Sequence, residues 1–413
     1  MSAGAALQRF ATGMGTTGRW STALIGASVP VSIALDNILL ALAMLAWLAG
    51  LHYRDKLRFA WTNPVYRAAL LVFGLLLIGA LYGHQRPGDA GVYLLKYLDL
   101  ALIPVLGWAF IAAPDRDRSL RMLAGGLALV LLISCALKIG LIPPNPWLRG
   151  TPESPIVFKL RLTQNILMAF SGFLFAWLSC CARTRAGKIG WSILSALATA
   201  NIMLMVEGAT GYIVLIALLL LFGWQQARFR GVAVAVVSAL CVVAVLSLIP
   251  GPFQTRIQQI FKEFNTERAD RPATTSTGFR MEFYRNTITL IKQQPVLGYG
   301  TGGFPAAYAD LVKSTGQNLT RNPHNEYMLM TVQIGIFGLA ALLWLFWQQW
   351  RLAPLLPTPL ERGLAQGLVV MMGISCMLNS ALLDHTEGLL YAWLTALLYA
   401  GLAAEKHNTS APA

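Results

Sequence analysis

Ser119-Leu-Arg-Met-Leu-Ala-Gly-Gly-Leu-Ala-Leu-Val-Leu-Leu-Ile-Ser-Cys-Ala-Leu-Lys-Ile-Gly-Leu-Ile142 decides the fold class. No charged residue stands between Arg121 and Lys138. As a helix the stretch is long enough to cross the roughly 30 Å hydrocarbon layer of a bilayer. Runs of this kind recur along the 413 residues, which are 56% hydrophobic and 12% charged, with a mean hydropathy of +0.58. A soluble fold carries about twice that share of charge. The sequence therefore predicts an all-α polytopic membrane protein with bilayer as its main solvent.

Working outward from residues 119–142, spans are expected near 18–34, 36–51, 64–82, 93–112, 162–182, 188–206, 211–224, 231–250, 325–348, 363–382 and 388–404. That makes about twelve, or eleven because the first two and the eighth are short. No small-residue cleavage site follows the first apolar stretch, so the start of the chain is expected to be retained. Cytoplasmic loops collect Lys and Arg, and here every even-numbered exit is basic. Arg54, Lys56 and Arg58 follow span two, Arg116, Arg118 and Arg121 mark the exit of span four, and Arg183, Arg185 and Lys188 follow span six. Arg228 and Arg230, Arg351 and Arg362, and Lys406 continue the pattern. Both termini are thus expected in the cytoplasm, with 143–161, 251–323 and 383–387 outside.

The chain reads as a single transmembrane domain, 1–413, into which one large outer loop, 251–323, is inserted between late spans. That loop holds nine basic residues (Arg256, Lys262, Arg268, Arg271, Arg280, Arg285, Lys292, Lys313, Arg321) against five acidic ones. Loops this long escape the orientation rule, so the excess points to an anionic partner outside. No nucleic-acid-binding module is present. All five cysteines lie in or beside apolar spans, which supports neither a disulfide framework nor a zinc site.

Within the loop, Ser276 or Thr277 can cap a helix that ends before Pro295 and carries Arg280 and Tyr284 on one side. The Gly298-Tyr-Gly-Thr-Gly-Gly303 run that follows suits turns or close backbone approach. It lacks the strand and helix context of a nucleotide-binding loop. In Arg321-Asn-Pro-His-Asn-Glu-Tyr327, Asn322 is the expected N-cap and Pro323 the first helical residue, which puts His324 in the opening turn. The helix dipole disfavours imidazolium there. A neutral imidazole suits a general base, and a loop-tying hydrogen bond is the competing role. Asp384-His385-Thr-Glu387 is a second polar cluster, able to orient His324, to bind an acceptor or simply to turn the chain.

The ordered set Arg280-x-x-x-Tyr284, Pro295-x-x-Gly298-x-Gly300-x-x-x-Phe304, Pro323-His-Asn-x-Tyr327 and Gly335-x-x-Gly338-Leu339 resembles the core of bacterial O-antigen ligases and the related Wzy-type polymerases. The resemblance implies a GT-C-like glycosyltransferase of the bacterial inner membrane that works on the periplasmic face. It implies inverting, metal-independent transfer from an undecaprenyl-diphosphate glycan to a hydroxyl of the lipid A core oligosaccharide in lipopolysaccharide biosynthesis, with no cofactor. His324 would be the base and Arg280 would hold the diphosphate, with Arg161 a less secure match. Arg256, Tyr284, Arg285, Arg321 and Asn325 are the associated substrate-binding candidates. Where many relatives carry a Ser-Arg pair, this chain reads Met205-Val-Glu-Gly-Ala-Thr-Gly-Tyr212, so Arg161 or Arg256 is expected to compensate. An O-antigen polymerase, a protein O-oligosaccharyltransferase and, from another class, a secondary transporter are the rival readings.

Overall fold

The computed structural model describes residues 3–83, 86, 88–248, 254, 258 and 275–402, and every regular element among them is helical. The elements are α1 (Ala3–Ser28), α2 (Ile33–Ala49), α3 (Tyr53–Thr62), α4 (Pro64–Gly79), α5 (Asp89–Gly107), α6 (Ala113–Lys138) and α7 (Arg161–Cys181). There follow α8 (Arg185–Ala200), α9 (Ala209–Leu248), α10 (Ser276–Gln293), α11 (Phe304–Val312), α12 (Glu326–Leu352), α13 (Pro359–Leu378) and α14 (His385–Tyr399).

The helices fall where hydropathy puts them, but not all are long and apolar enough to cross a bilayer. Among the described residues six are, or seven if α2 and α3, bent by 117°, form one span. This is fewer than the twelve expected. The reason is physical: α14 has 15 residues, roughly 23 Å of helix, and α4 has 16. The polar start of α1 begins well ahead of the expected span.

Residues 211–224 and 231–250 were expected as two spans, and α9 covers both with a break at Ala227 and Arg228, the latter at φ +50°. A Cβ on Gly231 would lie 1.9 Å from the carbonyl oxygen of Gly223. In a straight helix eight residues are about 12 Å apart, so the chain reverses at this break.

The centre of the bundle is α14, whose residues from Thr386 to Tyr399 are all buried. A helix apolar on every side needs neighbours on every side. Those neighbours include α5, α13 and α1. The Trp393 indole donates to the carbonyl of Thr22 at 2.7 Å, which ties α14 to α1. At the opposite end of the bundle from His385, Arg116 donates to Glu361 at 2.7 Å, and Glu361 also completes the capping box of α13. Arg116 is therefore a buried ion-pair partner as well as one of the basic exit residues.

Two interruptions shape the neighbourhood of His324. Gly335, at φ +65°, breaks α12, and Ile336 N–H is left to donate to the carbonyl of Pro295 at 3.0 Å. The Val332 carbonyl accepts from Tyr299 N–H at 2.7 Å, while Thr301 N–H reaches Gly79 at the end of α4 at 2.9 Å. Gly298 sits at φ +67°, and a Cβ there would lie 2.3 Å from the Val332 oxygen. The glycine run is thus the close backbone approach anticipated from sequence. It wedges between α4 and α12 and carries the chain from α10 to α11.

Candidate active site

Helix α10 is capped by Thr275, whose hydroxyl accepts from Gly278 N–H at 3.1 Å, one residue ahead of the expected cap. Its buried face carries Phe283 and Leu290. Tyr284, one turn beyond Arg280, donates from its hydroxyl to the carbonyls of His324 at 3.1 Å and Met377 at 3.2 Å. Burial pushes the Tyr284 phenol up from its ordinary value, and the nearby Arg280 guanidinium opposes that shift. Arg280 is half-buried and has no ion pair among the described residues. A guanidinium without an ion pair among the described residues suits an anionic ligand.

His324 does not sit in the opening turn of α12. The N-cap is Asn325, whose Oδ1 accepts from Met328 N–H at 3.0 Å and whose Nδ2 donates to the Met377 carbonyl at 3.0 Å. Asn322 instead accepts from His324 N–H at 2.9 Å in a turn of its own. His324 is left between the two at φ +54°, a region that costs a non-glycine residue of order 1–3 kcal/mol. The Tyr284 contact to its carbonyl, the Asn322 contact to its N–H and the adjacent Asn325 cap hold it there.

The imidazole is fixed on one face and one edge. Its ring stacks on Phe283, with centroids 6.1 Å apart and planes 24° apart. Its Nδ1 lies 3.0 Å from Asn379 Oδ1, and Asn379 Nδ2 donates to Asp384 Oδ2 at 2.7 Å. Burial pushes the Asp384 carboxyl up, while Asn379, Lys96 and His324 pull against that. The Asp384 cluster is therefore both a turn and an attachment to His324. Asn379, at the end of α13, is the member that sequence reading missed.

Of the other candidates, Arg161 opens α7 with an exposed side chain, and Arg285 is exposed on α10. Arg321 donates to Asp89 at 2.9 Å, and its carbonyl accepts from the Tyr93 hydroxyl, so it fastens its loop to α5. Arg256 lies outside the described residues. The buried cation near the start of α7 is Lys159, 3.8 Å from Asp36. The 205–212 stretch that lacks the Ser-Arg pair packs on α7 instead, with Asn165 donating to the Glu207 carbonyl at 3.3 Å. Beyond Asp384 a cavity of about 410 Å³ opens between α2 and α5, lined in part by Lys96, Asp99, Asp384 and His385.

The structure thus brings together Arg280, Tyr284, His324 and Asn325, and leaves Arg161, Arg285 and Arg321 in other settings. Residues 192–343, from α8 to the middle of α12, match the family model described as O-antigen ligase. No curated protein matches the chain. The stretch that holds Arg280, Tyr284 and His324 in this multi-pass membrane protein is thus similar to the O-antigen ligase family.

Proposed function

We propose that the protein is an O-antigen ligase that moves a glycan from an undecaprenyl-diphosphate carrier to a hydroxyl of the lipid A core oligosaccharide. His324 takes the proton of the acceptor hydroxyl. The acceptor oxygen bonds to the anomeric carbon from the face opposite the leaving group, the carbon–oxygen bond to the diphosphate breaks, and the configuration inverts. Arg280 carries the charge that builds on the diphosphate as that bond breaks, a task for a permanently cationic, planar donor set. Tyr284 supports both, since it lies beside Arg280 and grips the His324 backbone. The basic exits of the even-numbered spans support a periplasmic site on the inner membrane with both termini cytoplasmic.

The observation that carries this reading is a histidine whose carbonyl accepts from the Tyr284 hydroxyl, with the half-buried Arg280 one turn before Tyr284 on α10 and without an ion pair among the described residues, inside the segment that matches the family model. The test is reconstitution with labelled lipid-linked glycan and two acceptors, lipid A core and a second lipid-linked glycan, with and without chelator. A ligase adds label to the core, a polymerase lengthens the lipid-linked chain, and silence with both rejects glycan transfer. Activity lost in chelator and restored by a divalent cation would reject the metal-independent form of the mechanism.

A further inference from the structure

We propose that Asn379 and Asp384 are positioning residues that set the tautomer of His324, so that its proton is held on Nδ1 and Nε2 is left as the basic nitrogen. The inference rests on the reading of His324 as the base.

The direction of each hydrogen bond follows from what its members can do. An ionised carboxylate only accepts, so Asp384 Oδ2, 2.7 Å from Asn379, faces the amide nitrogen. The carboxamide then has one orientation, with Oδ1 toward the imidazole at 3.0 Å. That oxygen also only accepts, so Nδ1 must carry the proton. No hydrogen bond to Nε2 occurs among the described residues. The ring cannot escape by turning over, since Phe283 is stacked on it and the backbone on either side is tied by Tyr284 and Asn322.

Asp384 shows that this arrangement is not incidental to helix capping. It occupies the N-cap of α14, where an aspartate ordinarily accepts from the first-turn N–H groups, yet its side chain makes no capping bond. It turns to Asn379 instead. Asn379 is buried, and its backbone N–H closes α13 on Ser375 at 2.8 Å, which fixes the root of the side chain. Charged and titratable groups near the pair include Lys96 and Asp99 of α5, Glu326 of α12, and His385 and Glu387 of α14, while Tyr284 of α10 reaches the Met377 carbonyl two residues before Asn379.

A tie that only held the loop would be indifferent to which nitrogen bears the proton. The pair is distinguished from such a tie by what happens when Asp384 is removed. In Asp384→Ala the carboxamide is free to flip and present its N–H₂ to Nδ1, which moves the imidazole proton to Nε2. In the double variant Asn379→Asp, Asp384→Ala, a carboxylate faces Nδ1 whichever way it turns and needs no orienting partner.

The experiment is nitrogen-15 NMR of the histidine-labelled full chain in detergent, with His324→Ala to assign the signal, beside transfer rates. The wild type should show neutral His324 protonated on Nδ1, Asp384→Ala should shift it toward Nε2–H, and the double variant should restore Nδ1–H. Transfer should fall on the order of 10- to 100-fold in Asp384→Ala with donor KM unchanged. It should return in the double variant with the acid limb of the pH–rate profile moved to higher pH, because a carboxylate stabilises imidazolium. A wild-type His324 protonated on Nε2, or a tautomer unchanged by Asp384→Ala, overturns the inference. The spectrum reads the tautomer independently of turnover, so an inactive protein with the expected spectrum would count against the role of His324 as base and not against the positioning pair.

Discussion

His324 and His385 both stand at the mouth of a helix, and the difference between them lies in their partners. His324 Nδ1 faces the neutral amide of Asn379 at 3.0 Å. His385 Nε2 faces the fully buried carboxylate of Asp36 at 3.7 Å. That carboxylate also accepts from Ser28 at 2.5 Å and lies 3.8 Å from Lys159. That approach ties His385 to a cluster of polar and charged side chains inside the bundle. An amide partner fixes the ring while leaving its second nitrogen able to take a proton. One residue type therefore serves packing in one place and is available for chemistry in the other.

The comparison can be broken by exchanging the two roles. His324→Ala should lower transfer by ~10² to 10⁴, the usual worth of general-base catalysis, whereas His385→Ala should stay within about tenfold once corrected for folded protein. Equal losses would mean that the partner does not decide the role. Next in size, Arg280→Ala should lose far more activity than Lys313→Ala at equal membrane abundance, since Lys313 is an exposed charge on the same loop. Matching small losses would remove Arg280 from the diphosphate site.

Smaller effects sharpen the structural side. Gly298→Ala asks for a Cβ 2.3 Å from the Val332 oxygen at φ +67°, and should cost of order 1–3 kcal/mol, read as a lowered unfolding midpoint. An unchanged midpoint would mean that the glycine wedge does not hold α10 against α12. The smallest effect concerns Asp384, whose folded pKa is raised by burial. A carboxyl raised in the folded state contributes stability at pH below its unfolded value of about 4 and loses it as pH rises through the folded value. Asp384→Asn, which can still accept from Asn379, should therefore raise the midpoint near neutral pH and give no gain at pH 4. A gain that grew toward acid would have the wrong sign.

The helix positions were legible because hydropathy is a local signal, as the two parts of α9 on either side of the break at Ala227 and Arg228 illustrate, whereas the number of spans depends on helix lengths that hydropathy leaves open. The N-cap was misplaced from Asn325 to Asn322. Both are good caps three residues apart, and only the positive φ of His324 between them decides which is used. Arg161 rests on a loose resemblance to a family arginine, and the start of α7 leaves it exposed while Lys159, which carries no motif, is buried near Asp36. Asn379 left no sequence signal, because an amide 55 residues from His324 gains meaning only when α12 and α13 pack together.

The central claim, that His324 is the base and not a donor-binding residue, is tested most directly by single-turnover transfer at saturating lipid-linked donor in His324→Ala, with donor affinity measured on the same preparation. A rate lower by ~10² to 10⁴ with donor affinity retained is the predicted result. Weakened donor binding with a wild-type rate at saturation would contradict it.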